Sequence, residues 1–133
     1  MTEKSNYKKM LSGEYYHPDE ELAEMAYKCS KDLMYINSHP ARDPERDAFL
    51  KDFFAAIGER VTIKGNFNCD YGRHISIGDG CIINCNVTIL DTACVDIWKG
   101  CIYCTGSCDY NSNTSAGCRK TGIQKFYWKF NCY

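Results

Sequence analysis

The chain has 133 residues, of which 44% are apolar and 25% are charged, and its formal net charge is −1. This composition is typical of a folded globular domain, and the near-neutral charge argues against nucleic acid as a partner, because such binding needs a basic excess. No apolar run approaches the ~20 residues of a membrane span, and the first residues lack a signal-peptide core. We therefore expect a cytoplasmic protein without membrane contact.

The ten cysteines are many for such a protein and suggest either disulfides or a metal site. Half of them lie in a final segment, from residue 98 to residue 133, that contains no leucine, glutamate or proline. These five are Cys101, Cys104, Cys108, Cys118 and Cys132. Because the composition changes so sharply there, we divide the chain near residue 97.

The first third of the chain predicts two helices. One runs from Asp19 to residue 36, with apolar residues at helical spacing and acidic residues at its start. The other begins at Asp43, a favourable N-cap, with Pro44 at the first helical position, and stops at Gly58. We interpret the apolar stripe of each helix as a face that packs on the rest of the protein.

From residue 61 onward, the apolar residues recur at intervals of six. The bulky positions are Tyr71, Ile77, Ile83, Ile89 and Val95, and the small or β-branched ones are Cys81, Val87 and Ala93. A period of six favours short parallel strands wound into a solenoid, with one bulky side chain per strand pointing into the core. The alternative is an antiparallel β-meander with coincidental spacing.

Three motifs resemble those of the maltose and galactoside O-acetyltransferases, a family of hexapeptide-repeat proteins. They are C-D-Y-G at residues 69–72, N-x-N at 84–86 and L-D at 90–91, and the resemblance covers about residues 7–97. It implies a homotrimer with active sites between subunits, acetyl-CoA as the donor and a sugar hydroxyl as the acceptor. No metal is implied.

The resemblance also implies an α+β fold in which N-terminal helices cap a truncated, left-handed parallel β-helix. We expect a helical segment over residues 1–58, a partial hexapeptide-repeat β-helix over 59–97 and an aberrant, disordered tail over 98–133.

Four residues are candidates for binding the acceptor sugar. Asp19, Asp70 and Asn84 match family positions that hold the sugar, and Asp91 lies beside them. Each also has a structural interpretation: Asp19 as a helix cap, Asp70 and Asp91 as corner residues of the solenoid, and Asn84 as part of a side-chain ladder.

The family pattern breaks after Ile97. The family's base is a histidine in a T-x-H-P motif one coil beyond L-D, and no such motif follows in this chain. All three histidines, His17, His39 and His74, lie upstream, and His39 precedes a proline in a loop, where we expect it to be solvated. The resemblance therefore implies that this chain has no catalytic histidine and is inactive as it stands.

A shift of reading frame explains both the break and the late cysteines. When the tail is back-translated and one T is removed at the boundary of Ile97 and Trp98, the following codons can encode further hexads and a T-x-H-P motif. Two other interpretations stay open. One is a zinc module built on Cys101, Cys104, Cys108 and Cys118. The other is a non-catalytic partner that docks on intact acetyltransferase subunits.

Overall fold

The structure is a computed structural model that describes residues 3–103. Within that range, three helices precede eight short strands. The helices are α1 (Asn6–Leu11), α2 (Glu20–Ser38) and α3 (Pro44–Phe53). The strands are β1 (Ala56–Ile57), β2 (Thr62–Ile63), β3 (Asn68–Cys69), β4 (Ile75–Ile77), β5 (Ile82–Ile83), β6 (Thr88–Ile89), β7 (Val95–Ile97) and β8 (Ile102–Tyr103).

The two expected helices are present, and their N-caps form as the sequence predicts. The Asp19 carboxylate accepts a hydrogen bond from the backbone N–H of Leu22 at the start of α2. Asp43 caps α3 in the same way by accepting from Glu45 and Arg46, and Pro44 fills the first helical position, where no N–H is needed.

The second helix ends earlier than predicted. α3 stops at Phe53 rather than continuing to Gly58, because residues 56 and 57 form β1 and pair with β4. The backbone N–H of Ala55 bonds to the carbonyl of Ile75, and that of Gly58 bonds to the carbonyl of Ile77. Long-range pairing thus overrides the local helical pattern, and the first strand lies ahead of the division expected at 58/59. That division itself stays a prediction.

The strands form three parallel sheets, ordered β1-β4-β7, β2-β5-β8 and β3-β6. Each pairing among the described strands is parallel, which confirms a solenoid and rules out the antiparallel meander over this range. Partners lie twenty residues apart, as for Ala56 with Ser76 and Thr62 with Ile82. The coil is therefore longer than three hexads.

The additional length lies at one corner of each coil. Ile57, Ile63 and Cys69 follow one another at the expected interval of six, but Ile77, the next residue of the series, comes eight residues after Cys69. The extra residues fall between β3 and β4, and again between β6 and β7. The strict period of six predicted from the sequence is therefore wrong at this corner.

The inward direction of the predicted core residues is nevertheless preserved. Ile77, Ile83, Ile89 and Val95 are all buried. An even insertion preserves the side-chain alternation of a strand, so Val95 still points inward, although it stacks on Ile75 rather than continuing the hexad from Ile89. Tyr71 is only half-buried, because it lies in the extended corner and not in a strand.

Helices α2 and α3 pack on the first coil and close one side of the core. Leu33, Ile36, Leu50, Phe53 and Phe54 belong to the same buried cluster as the solenoid isoleucines. The contact with the corner is close, since a Cβ built on Gly72 would lie 2.4 Å from the Phe53 ring. Gly72 also has a φ of +76°, so both packing and backbone require glycine there.

No helix within residues 3–103 has the length and apolarity that crossing a membrane would demand.

Candidate functional site

The extended corner of the first two coils carries the polar side chains that matter most. Asp70, Tyr71 and His74 follow β3, and Asp91 follows β6. Because β3 and β6 are paired neighbours in one sheet, these residues belong to the same corner in successive coils. We call Asp70, Tyr71, His74 and Asp91 the acidic corner.

Asp91 organises this corner from within. It is 0% exposed, and its Oδ1 accepts backbone N–H bonds from Asp70 at 3.0 Å and from Tyr71 at 2.9 Å. Its Oδ2 accepts a longer bond from the N–H of His74 at 3.4 Å. A buried carboxylate needs such donors to offset the loss of hydration. Asp91 therefore fixes the backbone of the preceding coil and presents no oxygen to solvent.

His74 connects Asp91 to the N-terminal helix. Its Nδ1 lies 2.6 Å from the carbonyl oxygen of Asp91, and because a carbonyl only accepts, Nδ1 carries the proton. Its Nε2 lies 3.0 Å from the hydroxyl of Tyr7 on α1. His74 is 6% exposed, and both of its ring nitrogens are engaged within the protein. The sequence predicted a helical segment over residues 1–58, but it delimited only two helices, from residues 19 and 43, and indicated neither the bounds of α1 nor this contact.

Asp70 differs from Asp91 because it is only partly buried. Partial burial, with the charge of Asp91 nearby, raises the pKa of the Asp70 carboxyl above its ordinary value. Among the described residues, no side-chain hydrogen bond to the Asp70 carboxylate is present. This carboxylate is thus held at the corner by its backbone, while no described residue bonds to its oxygens.

Asp19 contributes a second carboxylate from the start of α2. It accepts from Leu22 as an N-cap and also from the side-chain amide of Asn6 at 2.9 Å. The Asn6 bond, followed by the Leu22 bond, lowers the pKa of Asp19, which keeps it ionised. Burial, followed by electrostatic interaction with Tyr16 and with the carboxylates of Asp70, Asp91 and Asp19, raises the pKa of Tyr71. Helix α1 connects Asp19 to the acidic corner, since Asn6 donates to Asp19 and the next residue, Tyr7, bonds to His74.

Asn84 lies at a different corner. It follows β5, whereas the acidic corner follows β3 and β6, so the fold of one chain does not bring Asn84 beside Asp70. The ladder proposed for Asn84 is formed by other residues: Asn66 donates to the side-chain oxygen of Asn86 at 3.0 Å. Asn66 and Asn86 also adopt positive φ angles, which asparagine tolerates in tight turns.

The other two histidines are not part of the acidic corner. His17 is exposed and lies edge-on to Tyr15. His39 follows α2, where its Nδ1 donates to the carbonyl of Tyr35 at 2.8 Å and its ring stacks on the same tyrosine. The sequence predicted a solvated loop histidine, but His39 is half-buried and terminates the helix.

Within residues 3–103 no cluster of three metal-binding side chains is present. Cys101 is buried at the start of the last described strand. The other three members of the hypothetical zinc module, Cys104, Cys108 and Cys118, lie outside the described residues. Of the tail for which disorder was predicted, residues 98–103 are described, and they include β8, which pairs with β5; residues 104–133 lie outside the described range.

Sequence comparisons find similarity to an acetyltransferase capping motif and to curated relatives that include an acetyltransferase. Residues 9–58 match the maltose acetyltransferase hexapeptide capping motif. The chain is 36% identical over 94 residues to Nodulation protein L of Rhizobium meliloti, covering 69% of this chain and 51% of that protein. It is also 36% identical over 69 residues to the galactoside O-acetyltransferase of Escherichia coli, covering 50% of this chain and 34% of that one. The chain thus spans about half the length of the curated relatives that it matches first.

Solved structures of similar fold also include acetyltransferases. A maltose O-acetyltransferase from Clostridium difficile superposes with a TM-score of 0.71 at 27% identity, covering 75% of this chain and 55% of that one. A hexapeptide-repeat acetyltransferase from Vibrio cholerae, solved with acetyl coenzyme A, gives a TM-score of 0.65 at 29% identity and covers 80% and 63%.

Proposed function

We propose that residues 3–103 form the acceptor-binding half of an acetyl-CoA-dependent sugar O-acetyltransferase. The chain belongs to the maltose and galactoside O-acetyltransferase family. The complete reaction transfers the acetyl group of acetyl-CoA to a sugar hydroxyl and releases coenzyme A. The observation that carries the proposal is the Asp70 carboxylate, which the acidic corner holds in place and to whose oxygens no described residue bonds.

Asp70 is the residue we assign to the sugar. Its backbone N–H is fixed by Asp91, so the side chain needs little ordering when a ligand arrives. A carboxylate accepts two or more hydrogen bonds from neighbouring hydroxyls, and such charge-assisted bonds are the stronger ones. Asp19, which is only partly buried, is proposed as a second acceptor; its two oxygens accept one bond each, from Leu22 and from Asn6, and each keeps a further lone pair. We assign Asp91 a positioning role, because it is fully buried and its oxygens accept backbone N–H groups.

Asn84 is assigned to the sugar site of a neighbouring subunit. The side-chain amide of Asn84 offers a donor and an acceptor at a corner remote from Asp70. Two separated corners act on one ligand only if a second copy brings them together. The proposal therefore includes a homotrimer of left-handed coils in the cytoplasm, with each sugar site between subunits.

The chain as it stands is proposed to be inactive. Acetyl transfer requires a base to take the hydroxyl proton, and general-base catalysis typically contributes ~10²–10⁴-fold. His74 lies in the same corner as Asp70, but its ring nitrogens bond to Asp91 and Tyr7. His39 is bound to Tyr35 at the end of α2, and His17 is on the surface.

Sugar binding without turnover is the test of this proposal. We expect maltose, glucose or a galactoside to perturb the backbone amide NMR signals of Asp70 and Tyr71 in a saturable way. Asp70→Ala should abolish that saturation, whereas Asp52→Ala, which removes an exposed carboxylate from α3, should leave it unchanged. Identical titrations for the two variants, or no saturation with any of the sugars, would contradict the assignment.

A further inference from the structure

Two thiols that the proposed function does not use lie in contact beside the acidic corner. Cys29 is in the middle of α2 and Cys69 ends β3, forty residues later in the chain. Their sulfur atoms are 3.7 Å apart, and the Cys29 sulfur is also 3.7 Å from the Cys69 carbonyl oxygen. Both cysteines are free thiols. Cys69 is the residue immediately before Asp70.

We infer that Cys29 and Cys69 form a disulfide under oxidising conditions, which makes this pair a site of oxidative modification that links α2 to the first coil. A disulfide needs the sulfur atoms about 2.05 Å apart, and side-chain rotation brings two facing thiols together over such a short distance. The inference goes beyond the proposed function and does not depend on it.

The two thiols differ in access, and this fixes the order of events. Cys29 is 2% exposed, whereas Cys69 is partly exposed. Hydrogen bonding to Cys29, followed by burial, strongly raises the pKa of the Cys69 thiol, so little of the reactive thiolate is present at neutral pH. The reaction is therefore slow, and it starts at Cys69.

With glutathione disulfide as the oxidant, the reaction balances in two exchanges. The Cys69 thiolate attacks one sulfur of the oxidant, the sulfur–sulfur bond breaks, and one glutathione leaves with the proton that Cys69 lost. The Cys29 sulfur then attacks Cys69 in the mixed disulfide, and the second glutathione leaves as a thiol. Two protein thiols are oxidised, and one glutathione disulfide is reduced to two glutathiones.

The disulfide has a definite structural consequence. It closes a loop that contains α3, β1 and β2, and so restricts the unfolded chain far more than the folded one. It also ties α2 to the residue that precedes Asp70. We expect the oxidised protein to unfold about 10 °C above the reduced protein, the rise that a loop of this length predicts for a domain of this size.

Peptide mapping of the full chain is the direct test. The protein is incubated with glutathione disulfide, its free thiols are alkylated, and tryptic peptides are analysed by mass spectrometry. Trypsin places Cys29 in the peptide of residues 29–31 and Cys69 in that of residues 65–73, so a disulfide between them joins two separate peptides. We expect this linked pair, its loss after dithiothreitol, and a reversible rise of the melting temperature.

Exposed cysteines provide the internal control. Cys85 and Cys94 are exposed on the solenoid and should acquire glutathione first, and Cys85→Ser with Cys94→Ser should leave the linked pair and the melting shift intact. The Cys69→Ser variant should lose both. Recovery of Cys29 and Cys69 as alkylated peptides after prolonged oxidation, or a persistent glutathione on Cys69, would overturn the inference. Because the mapping is done on the unaltered chain, its outcome does not depend on whether a variant folds.

Discussion

Exchanging Asp91 for asparagine should destabilise the protein far more than the same exchange at Asp70. Asp91 is 0% exposed and accepts three backbone N–H groups, two of them at 3.0 Å or less. An asparagine keeps the shape but loses the charge, and it turns an NH2 group toward donors. Hydrogen bonds to a charged acceptor contribute about 1.5–3 kcal/mol each, so we expect Asp91→Asn to cost about 2–4 kcal/mol.

The expected sign for Asp70→Asn is the opposite. The pKa of Asp70 is raised, so its ionised form is less favourable in the folded protein than in the unfolded chain. Its contribution to stability is therefore fully present in acid, below the ordinary value of 3.8, and is lost as the pH rises through the raised folded pKa. At pH 7, the asparagine variant should be as stable as the unaltered protein or slightly more stable.

Urea unfolding followed by circular dichroism measures both effects. The free energies of unfolding of the unaltered chain and both variants are compared at pH 7 and at a series of lower pH values. The advantage of Asp70→Asn should diminish as the pH falls toward 3.8. Two results would contradict the assignment of Asp91 as a positioning carboxylate and Asp70 as a ligand-binding one. The first is a loss of less than about 1 kcal/mol in the free energy of unfolding for Asp91→Asn, and the second is a larger loss for Asp70→Asn than for Asp91→Asn.

Three further predictions concern individual packing and hydrogen-bond contacts within the fold. In urea unfolding, Gly72→Ala should lower the free energy of unfolding by at least about 2 kcal/mol more than Gly80→Ala does. Both glycines have positive φ, but only a Cβ at Gly72 would clash with the Phe53 ring. Equal losses in the two variants would refute that packing. Tyr7→Phe should speed amide hydrogen exchange over α1 while leaving β5 protected, because the Tyr7 hydroxyl bonds to His74. An unchanged exchange rate over α1 would contradict this prediction. Arg46→Ala should lower the free energy of unfolding, measured by thermal melts, by about 3 kcal/mol, because the buried guanidinium donates hydrogen bonds to the Ile36 and Ile63 carbonyls. A loss below about 1 kcal/mol would refute that role.

The parts of the fold that sequence predicted are those governed by local chemistry. Asp19 and Asp43 are N-caps because their side chains bond to N–H groups two or three residues away. The inward direction of Ile77 and Ile83 follows from simple alternation along a strand. Such features depend on neighbours in the sequence and are therefore visible without the structure.

The parts that sequence missed depend on distant partners. Ile57 continues an apolar helical stripe but joins a strand, because β4 offers it backbone partners twenty residues later. The extended corner was hidden by its even length, which leaves the alternation of Val95 unchanged.

The candidate site was predicted only in part for the same reason. The motif residues Asp70 and Asp91 were identified through resemblance, but the difference in their burial and bonding, on which their proposed roles rest, comes from contacts between coils. The bond between Tyr7 and His74 spans 67 residues, and α1 is too short to produce a recognisable helical period. Asn84 was grouped with Asp70 by motif, yet the coil places the two at different corners.

The most direct test of the central claim compares acetyl transfer by two proteins that differ by one base. One is the chain as it stands, and the other is expressed from a gene with one T removed at the boundary of Ile97 and Trp98. With acetyl-CoA and maltose, glucose or a galactoside, we expect no coenzyme A release above background from the first and sugar-dependent release from the second. Sugar-dependent release by the first protein, or none by the second, would contradict an acceptor-binding half that lacks its catalytic base.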